Sequence, residues 1–131
     1  MRRRIQKGLT LMELIVAVAI IGLLTAVAFP SYQNKLSIDR AALAKAYLLQ
    51  VSNQQQIYLY QHGTYAHSLS LLGTAPSKTL ASYYEVLLEI DQAAKSTSFM
   101  VMAKPKISIN DSDFGTLTLN HLGQTSGNWD K

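Results

Sequence analysis

The sequence lacks cysteine altogether and is poor in charged residues, proline and tryptophan. Of its 131 residues, 15% are charged and 48% are hydrophobic, with three prolines and one tryptophan. Without cysteine, these residues can form no disulfide framework, cysteine-ligated zinc site or iron–sulfur cluster, and they supply no catalytic thiol. The high apolar content excludes a disordered chain, and the length excludes two catalytic domains or a polytopic channel.

The net charge of +4 is concentrated at one end of the chain. Arg2, Arg3, Arg4 and Lys7 lie in the first eight residues, and the eight basic residues that remain balance eight acidic ones. A nucleic-acid surface needs Lys and Arg clustered on a folded face, which this balance does not predict. A basic tip followed by an apolar run is typical of membrane targeting, with the basic end kept in the cytoplasm.

The apolar run extends from Leu9 to Phe29 and contains one charged residue, Glu13. As a helix it would span about 31 Å, close to the hydrocarbon thickness of a bilayer. A carboxylate at mid-membrane costs about 2.5–3.5 kcal/mol, so such residues are normally paired and functional. Cleavage between Gly8 and Leu9 would expose a protonated α-amino group one helical turn before Glu13. That group could pair with Glu13 of the same chain or of a neighbour, which would fix the register of packed helices.

Two poor helix formers, Gly22 and Pro30, bound the end of the run. Glycine weakens a helix, and proline lacks the N–H that the preceding turn would use. We therefore expect a helix break or flexible joint between them, although Pro30 could simply mark the membrane exit. A secretory signal peptide or a plain anchor would explain the apolar run but not its carboxylate.

The stretch KGLTLMELIVAVAIIGLLTAVAFPSY resembles the class III signal of the type IV pilin family. The resemblance implies that a prepilin peptidase cuts between Gly8 and Leu9 and methylates the Leu9 amino group. Leu9 departs from the commoner Phe or Met at the first mature position, which is a conservative change. The resemblance also implies an assembly role for Glu13 and a loss of helicity near Gly22 and Pro30 in the filament.

The rest of the chain predicts an amphipathic helix packed on a small antiparallel sheet. We divide the sequence into a cleaved leader (1–8), a hydrophobic helix (9–30) and a globular head (31–131), with an amphipathic helix (31–62), a loop (63–82) and a sheet with a C-terminal loop (83–131). Apolar spacing predicts that the helix faces the sheet with Leu36, Ala42, Ala46, Leu49, Ile57 and Tyr60. Alternating patterns predict strands at Tyr83–Ile90, Ser98–Lys104 and Phe114–Asn120, and Leu69, Leu71 and Leu72 are expected to pin the loop.

This α+β layout resembles the type IV pilin fold, a long N-terminal helix on a sheet of three to four strands. The segments QQQIYLYQHGTY, YYEVLLEI and FGTLTLNHLGQTSGNW are similar to those of small PilE-type minor pilins. Many such pilins close a C-terminal loop with a disulfide, and this sequence has Phe114 where the first cysteine would stand. We expect Phe114 or Trp129 to hold the loop as a hydrophobic anchor.

No residue pattern predicts catalysis, a metal or a cofactor. His62, His67 and His121 lack ligand spacing, and the run Asn110–Asp113 fits a turn between strands better than a calcium loop. The pair Lys104 and Lys106 is a small basic spot, for which DNA contact is a minor alternative. Five tyrosines are interpreted as core or interface aromatics: Tyr58, Tyr60, Tyr65, Tyr83 and Tyr84.

The predicted function is therefore that of a structural subunit, most similar to a minor pilin, in a type IV pilus serving motility, adhesion or DNA uptake. Its expected partners are other pilin subunits, prepilin peptidase, the inner-membrane assembly machinery, membrane lipid and, as a weaker prediction, DNA. It would wait in the inner membrane as a single-pass protein with a cytoplasmic N-terminus before entering an extracellular filament. The alternatives are a pseudopilin of a type II secretion system and a solitary membrane-anchored domain.

Overall fold

The computed structural model describes residues 10–91, 98–106 and 114–130. In chain order the elements are helix α1 (Leu11–His62), a 3-10 turn (Leu69–Leu72), helix α2 (Lys78–Tyr83), and strands β1 (Tyr84–Ile90), β2 (Phe99–Pro105), β3 (Leu117–Asn120) and β4 (Thr125–Ser126). The chain divides into two compact units, Met1–Leu36 and Ser37–Lys131. We call them the N-terminal segment and the head, and the α+β class predicted from the sequence is confirmed.

The described part of the N-terminal segment is helical from Leu11 onward. Leucine, alanine and methionine are strong helix formers and supply much of this stretch. Helix α1 continues through both Gly22 and Pro30, so this structure contains no helix break at either residue. The loss of helicity expected there stays a prediction about the assembled filament.

The head part of α1 packs on the sheet through one regular face. Its buried residues are Ala41, Ala44, Tyr47, Leu48, Val51 and Gln55. Steps of three and four residues keep these side chains on one side of a helix with 3.6 residues per turn. They form one core with the buried residues of the sheet, among them Phe99, Val101, Leu117 and Leu119.

The helix face predicted from the sequence is wrong. Ala42 and Ala46 are exposed, Leu49 and Ile57 are about half exposed, and Tyr60 is 93% exposed. The head part of α1 carries two apolar stripes on roughly opposite sides, and periodicity alone does not say which one the sheet covers. Because Gln55 is polar, the stripe that the sheet does cover is interrupted in the sequence pattern.

The sheet is an antiparallel meander with the strand order β1-β2-β3-β4. Strand β1 pairs with β2 from Tyr84 opposite Pro105 to Ile90 opposite Phe99. Residues 84, 86, 88 and 90 of β1 are buried in the core or pack against it, as their alternation predicted. The third predicted strand began too early, since β3 starts at Leu117 after Gly115, which adopts a positive φ of 59°.

The connection after α1 holds more structure than the predicted loop. Gly63 ends the helix with a φ of 75°, and its N–H donates to the Leu59 carbonyl at 2.8 Å, as expected of a left-handed cap. Ser77 caps α2 by accepting a hydrogen bond from the Leu80 N–H at 3.1 Å. Leu72 is buried and Leu69 packs against the core, whereas Leu71 is 45% exposed and does not pin this segment.

Candidate functional site

The N-terminal segment presents its apolar side chains outward. Between Leu11 and Tyr32, its large hydrophobic residues range from 46% exposed at Val16 to 76% exposed at Leu11. By length and composition, α1 is the one helix among the described residues that could cross a membrane, and none of its most apolar window is buried. Apolar surface on this scale marks contact with lipid or with other protein.

Glu13 lies in the first turn of α1, beside a capping residue that the sequence analysis overlooked. The Glu13 N–H donates to the Thr10 hydroxyl oxygen at 3.2 Å, and the Leu14 N–H donates to the Thr10 carbonyl at 3.2 Å. A threonine followed three residues later by glutamate is the capping-box pattern, which could have been recognised in the sequence. A carboxylate here is also favoured by the positive end of the helix dipole. Glu13 therefore has a local role that is separate from any pairing with an amino terminus.

Gly8 and Leu9, the predicted cleavage pair, lie outside the described residues, as do Asn110–Asp113. Within the described segment, the Thr25 hydroxyl donates to the Ile21 carbonyl at 2.7 Å. This bond satisfies the hydroxyl inside its own helix, as an apolar surrounding requires. From Leu11 to Phe29, Glu13 is the one charged residue, so this stretch otherwise suits a water-free environment.

Basic side chains of the head gather around α2 and the adjoining end of the sheet. The Arg40 guanidinium lies 4.3 Å from the centre of the Tyr83 ring. The Lys106 N–H donates to the Tyr83 carbonyl at 2.9 Å, and its ammonium donates to the Ala81 carbonyl. Lys78 on α2 and Lys104 on β2 are exposed nearby, and Lys104 pairs in register with Glu85. We call Arg40, Lys78, Lys104 and Lys106 the basic end.

The C-terminal loop is held by noncovalent contacts, in a place where many related proteins have a disulfide. Phe114 is 3% exposed, and Trp129 packs against the core, which confirms the predicted hydrophobic anchors. The Asn128 N–H donates to the Phe114 carbonyl at 3.4 Å, which joins the two ends of the loop. Lys45 of α1 adds what the sequence did not reveal, because its ammonium donates to the Trp129 carbonyl at 2.8 Å and lies 5.4 Å from the Phe114 ring centre.

Buried polar groups tie α1 to the segment that follows it. Gln55 is fully buried, donates to the Ala66 carbonyl and accepts from the Ala66 N–H, each at 2.8 Å. The Tyr47 hydroxyl donates to the Thr74 carbonyl at 3.4 Å. Burial raises the pKa of Tyr47 above its ordinary value of 10.0, and the hydrogen bond to Thr74 offsets part of that rise. These contacts hold the connection in one place relative to the core of the head.

The structure does not bring the three histidines together. His62 stacks on Tyr58 at a ring-centre distance of 4.0 Å, His67 is exposed, and His121 lines a cleft with Glu89 and Asp91 at the other end of the sheet. Among the described residues, no three His, Asp or Glu side chains approach closely enough to hold a metal. The arrangement offers exposed surfaces rather than an enclosed site.

Two consecutive parts of the chain match two known protein families. Residues 3–29 match the prokaryotic N-terminal methylation motif. Residues 30–118, more than half of the chain, match the family described as "Type IV minor pilin ComP, DNA uptake sequence receptor". The two matches meet at Pro30, where the sequence analysis placed the boundary between hydrophobic helix and head.

Individual relatives are pilins. A fimbrial protein of Neisseria meningitidis serogroup B is 34% identical over 88 residues, which cover 66% of this chain and 51% of that protein. The type IV major pilin protein PilE of Neisseria gonorrhoeae is 35% identical over 82 residues, covering 61% and 48%. The chain thus spans about half the length of the curated relatives it matches.

Solved structures share the fold. A type IV pilin from Shewanella oneidensis superposes with a TM-score of 0.51 at 25% identity, covering 66% of this chain and 86% of that one. The non-core minor pilin PilV of Neisseria meningitidis gives a TM-score of 0.55 at 22% identity, covering 71% and 87%. These likenesses confirm the predicted arrangement of a long N-terminal helix packed on an antiparallel sheet.

Proposed function

This chain belongs to the type IV minor pilin family, and on that premise we propose that it is a processed subunit of a helical pilus filament. The observation that carries the proposal is the fully exposed apolar helix of the N-terminal segment. No core of the chain covers the apolar surface of this helix. We therefore expect lipid to cover that surface before assembly and other subunits to cover it afterwards.

We propose that prepilin peptidase cuts between Gly8 and Leu9 and methylates the new amino group. The match of residues 3–29 to the N-terminal methylation motif supports this step. Before the cut, the basic tip keeps the N-terminus in the cytoplasm and the head lies across the inner membrane. The inner-membrane assembly machinery then moves the subunit into the filament.

Glu13 selects the axial register of the incoming subunit. In lipid or in a helix bundle an unpaired carboxylate is costly, so the register that offers a cationic partner is favoured. The amino group of Leu9, on this subunit or on its neighbour, is that partner. Methylation leaves the nitrogen basic, so the pairing survives processing.

The first experiment is mass spectrometry of the native polypeptide in sheared surface filaments. We expect a chain that starts at methylated Leu9, and retention of Met1 through Gly8 would contradict the proposal. The similarity to a fimbrial protein and to a type IV major pilin favours a pilus over a secretion pseudopilus. A chain that stays in the periplasm, combined with a secretion defect on its deletion, would instead support a pseudopilus.

Two substitutions at Glu13 separate its local role from its proposed pairing. Glutamine still fits a capping box but carries no charge, whereas alanine fits neither role. If charge pairing sets the register, Glu13→Gln and Glu13→Ala both insert in the membrane and both reach filaments at about a tenth of the wild-type level. If Glu13→Gln assembles normally and Glu13→Ala does not, the residue acts through the helix cap.

A second candidate function, DNA contact, is favoured by two observations. The matched family is described as a DNA uptake sequence receptor, and in the basic end of the head Arg40 and Lys106 both contact Tyr83. Phosphate contacts by Lys and Arg supply most non-specific DNA affinity and make it salt-dependent. We propose the basic end as the place where the head meets double-stranded DNA.

The DNA proposal is tested with the full chain in detergent micelles and fluorescently labelled duplex DNA. Replacing Lys78, Lys104 and Lys106 with glutamine should weaken binding about tenfold and reduce the salt slope by up to about three. Glu89→Gln, at the other end of the sheet, is the control and should not weaken binding. Equal affinity for the triple variant and the wild type would contradict the assignment.

A further inference from the structure

Strand β1 lies at an edge of the sheet, because the order β1-β2-β3-β4 gives it a single neighbour. Just beyond its two ends, the Asp91 N–H donates to the Ser98 carbonyl at 3.2 Å, and the Lys106 N–H donates to the Tyr83 carbonyl at 2.9 Å. Backbone groups of an antiparallel strand alternate in direction from one residue to the next. The odd-numbered residues of β1 therefore bond to β2, and the even-numbered residues direct their N–H and C=O groups outward.

The outward row of backbone groups has a partner only at the start of the strand. There the Tyr84 N–H donates to the Leu80 carbonyl of α2. Among the described residues, no hydrogen bond reaches the backbone groups of Val86, Leu88 and Ile90. We call these three residues the open edge. A row of unpaired donors and acceptors of this kind is a template for another strand.

The side chains of the open edge are also incompletely covered. Phe99 and Val101 of β2 face the core and are 2% and 0% exposed. Val86, Leu88 and Ile90 lie on the same face of the sheet in register with β2, yet they are only partly buried against the core. A further strand beside β1 would cover this apolar row and satisfy the backbone at the same time.

Two carboxylates accompany the open edge on the other face of the sheet. Glu85 and Glu89 are both exposed and stand on either side of Leu87. Lys104 lies opposite Glu85 in register, whereas Glu89 lies opposite the uncharged Met100. Opposite charges on adjacent strands stabilise a sheet and like charges destabilise it. The carboxylates therefore favour an incoming strand that places basic residues beside them.

We propose that the open edge binds an extended segment of another protein as a fifth strand, and that this segment has two basic residues separated by three apolar ones. The basic residues lie beside Glu85 and Glu89, and the middle apolar residue lies beside Leu87. The other two apolar residues lie beside Val86 and Leu88 on the core side. Backbone hydrogen bonds supply affinity and the charges select the partner. This interaction goes beyond filament membership and is tested without filaments.

The same carboxylates disfavour a second copy of β1 as the occupant. In the antiparallel register centred on Leu87, Glu85 of each copy would lie opposite Glu89 of the other, which gives two like-charge contacts. Charged side chains on edge strands are a common means of preventing such self-pairing. The charge pattern thus points to a basic segment from a different protein.

A labelled heptapeptide, Thr-Lys-Val-Leu-Val-Lys-Thr, tests the proposal by fluorescence anisotropy with the full chain in detergent micelles. In the proposed register the N–H groups of both valines point toward β1, and that of the central leucine points away. N-methylation of one valine should weaken binding at least tenfold, whereas N-methylation of the leucine should change it less than about threefold. Equal affinities for the two methylated peptides, or no binding above that to empty micelles, would overturn the proposal.

A charge exchange tests the register. The peptide with glutamate in place of both lysines should bind about tenfold more weakly to the wild type and recover on the double variant Glu85→Lys with Glu89→Lys. The matched control combines Asp39→Lys with Asp130→Lys, which makes the same change in net charge at exposed positions outside β1. Recovery on the control as well would reveal a general charge effect and contradict the assigned contacts.

Amide hydrogen exchange measured by NMR locates the bound strand. Saturating heptapeptide should slow exchange at the open edge at least tenfold and leave Leu87, which already bonds to β2, unchanged. Slow exchange at the open edge in the dilute free chain would show that the chain covers this edge itself. Slowing that appears only as the free chain is concentrated would assign the edge to a second copy, and either result would overturn the proposal.

Discussion

The two parts of helix α1 differ in whether their apolar side chains are covered by the chain itself. In the N-terminal segment every described residue from Thr10 to Lys35 is exposed, and in the head Leu48 and Val51 are completely buried. The N-terminal segment contributes its apolar surface to contacts outside the chain, while the buried face of the head stabilises the fold itself. Substitutions in the two parts should therefore change different measurements, which paired substitutions can test.

The largest difference is expected for two leucines of the same helix. Leu48→Ala removes a completely buried side chain and should lower the free energy of unfolding of the head by about 3 kcal/mol. Leu23→Ala removes a side chain that is 73% exposed and should leave that free energy within about 0.5 kcal/mol of the wild type. Both free energies are measured by unfolding the full chain in detergent and following near-ultraviolet circular dichroism, which reports aromatic packing in the head. Equal losses for the two variants would contradict the proposed difference between the two parts of the helix.

A pair of glycines gives the second contrast. Gly127 has a φ of 93°, and a Cβ there would lie 2.5 Å from the Thr116 carbonyl oxygen, so Gly127→Ala should cost the head about 2 kcal/mol. Gly22 has nothing within 4 Å of an added Cβ, so Gly22→Ala should leave the head unchanged and strengthen its own helix. Thermal unfolding of the two variants under identical conditions checks the contrast, which a stable Gly127→Ala protein would contradict.

Two lysines test the closure of the C-terminal loop. Lys45→Met keeps the aliphatic stem but loses the bond to the Trp129 carbonyl, and should cost about 1 kcal/mol and increase the exposure of Trp129. Lys35→Met, in the N-terminal segment, is the control and should change neither quantity. Quenching of Trp129 fluorescence by acrylamide measures the loop directly, and unchanged quenching in Lys45→Met would show that the aromatic anchors suffice.

The smallest expected effect concerns two tyrosines and pH. Because the pKa of Tyr47 is raised in the folded state, its contribution to stability is fully present below pH 10 and is lost as the pH rises through the folded pKa. Tyr47→Phe should therefore lose less stability than the wild type between pH 9 and 11. Tyr32→Phe, in the N-terminal segment, should follow the wild-type curve, and parallel curves for all three proteins would contradict the prediction.

The helix of the N-terminal segment could be predicted because the signals that specify it lie close together in the sequence. Length, apolarity and the leader residues are read along one helix, and the family matches agree with that reading. Strands β1 and β2 were also predicted to within one residue, since alternation and the bounding Pro105 are local signals. The Thr10 cap was equally local and could have been recognised from its spacing to Glu13.

The contacts of the head were less predictable because they join residues that are far apart in sequence. Two apolar stripes on one helix offered two faces, and only the folded sheet decides that Ala41, Leu48 and Gln55 form the inner one. The hydrogen bond between Lys45 and Trp129 spans 84 residues, so no sequence spacing signals it. In the basic end, likewise, the contacts of Arg40 and Lys106 with Tyr83 join residues that are more than 20 positions apart in sequence.

The contacts of Lys45 with Phe114 and Trp129, which hold the C-terminal loop, have a consequence for how the subunit folds. A disulfide in this place would require an oxidant in order to form, whereas these noncovalent contacts form and break together with the fold. Production of the head is therefore independent of the redox balance of the compartment, and a reducing agent added during purification should leave both its shape and its melting curve intact.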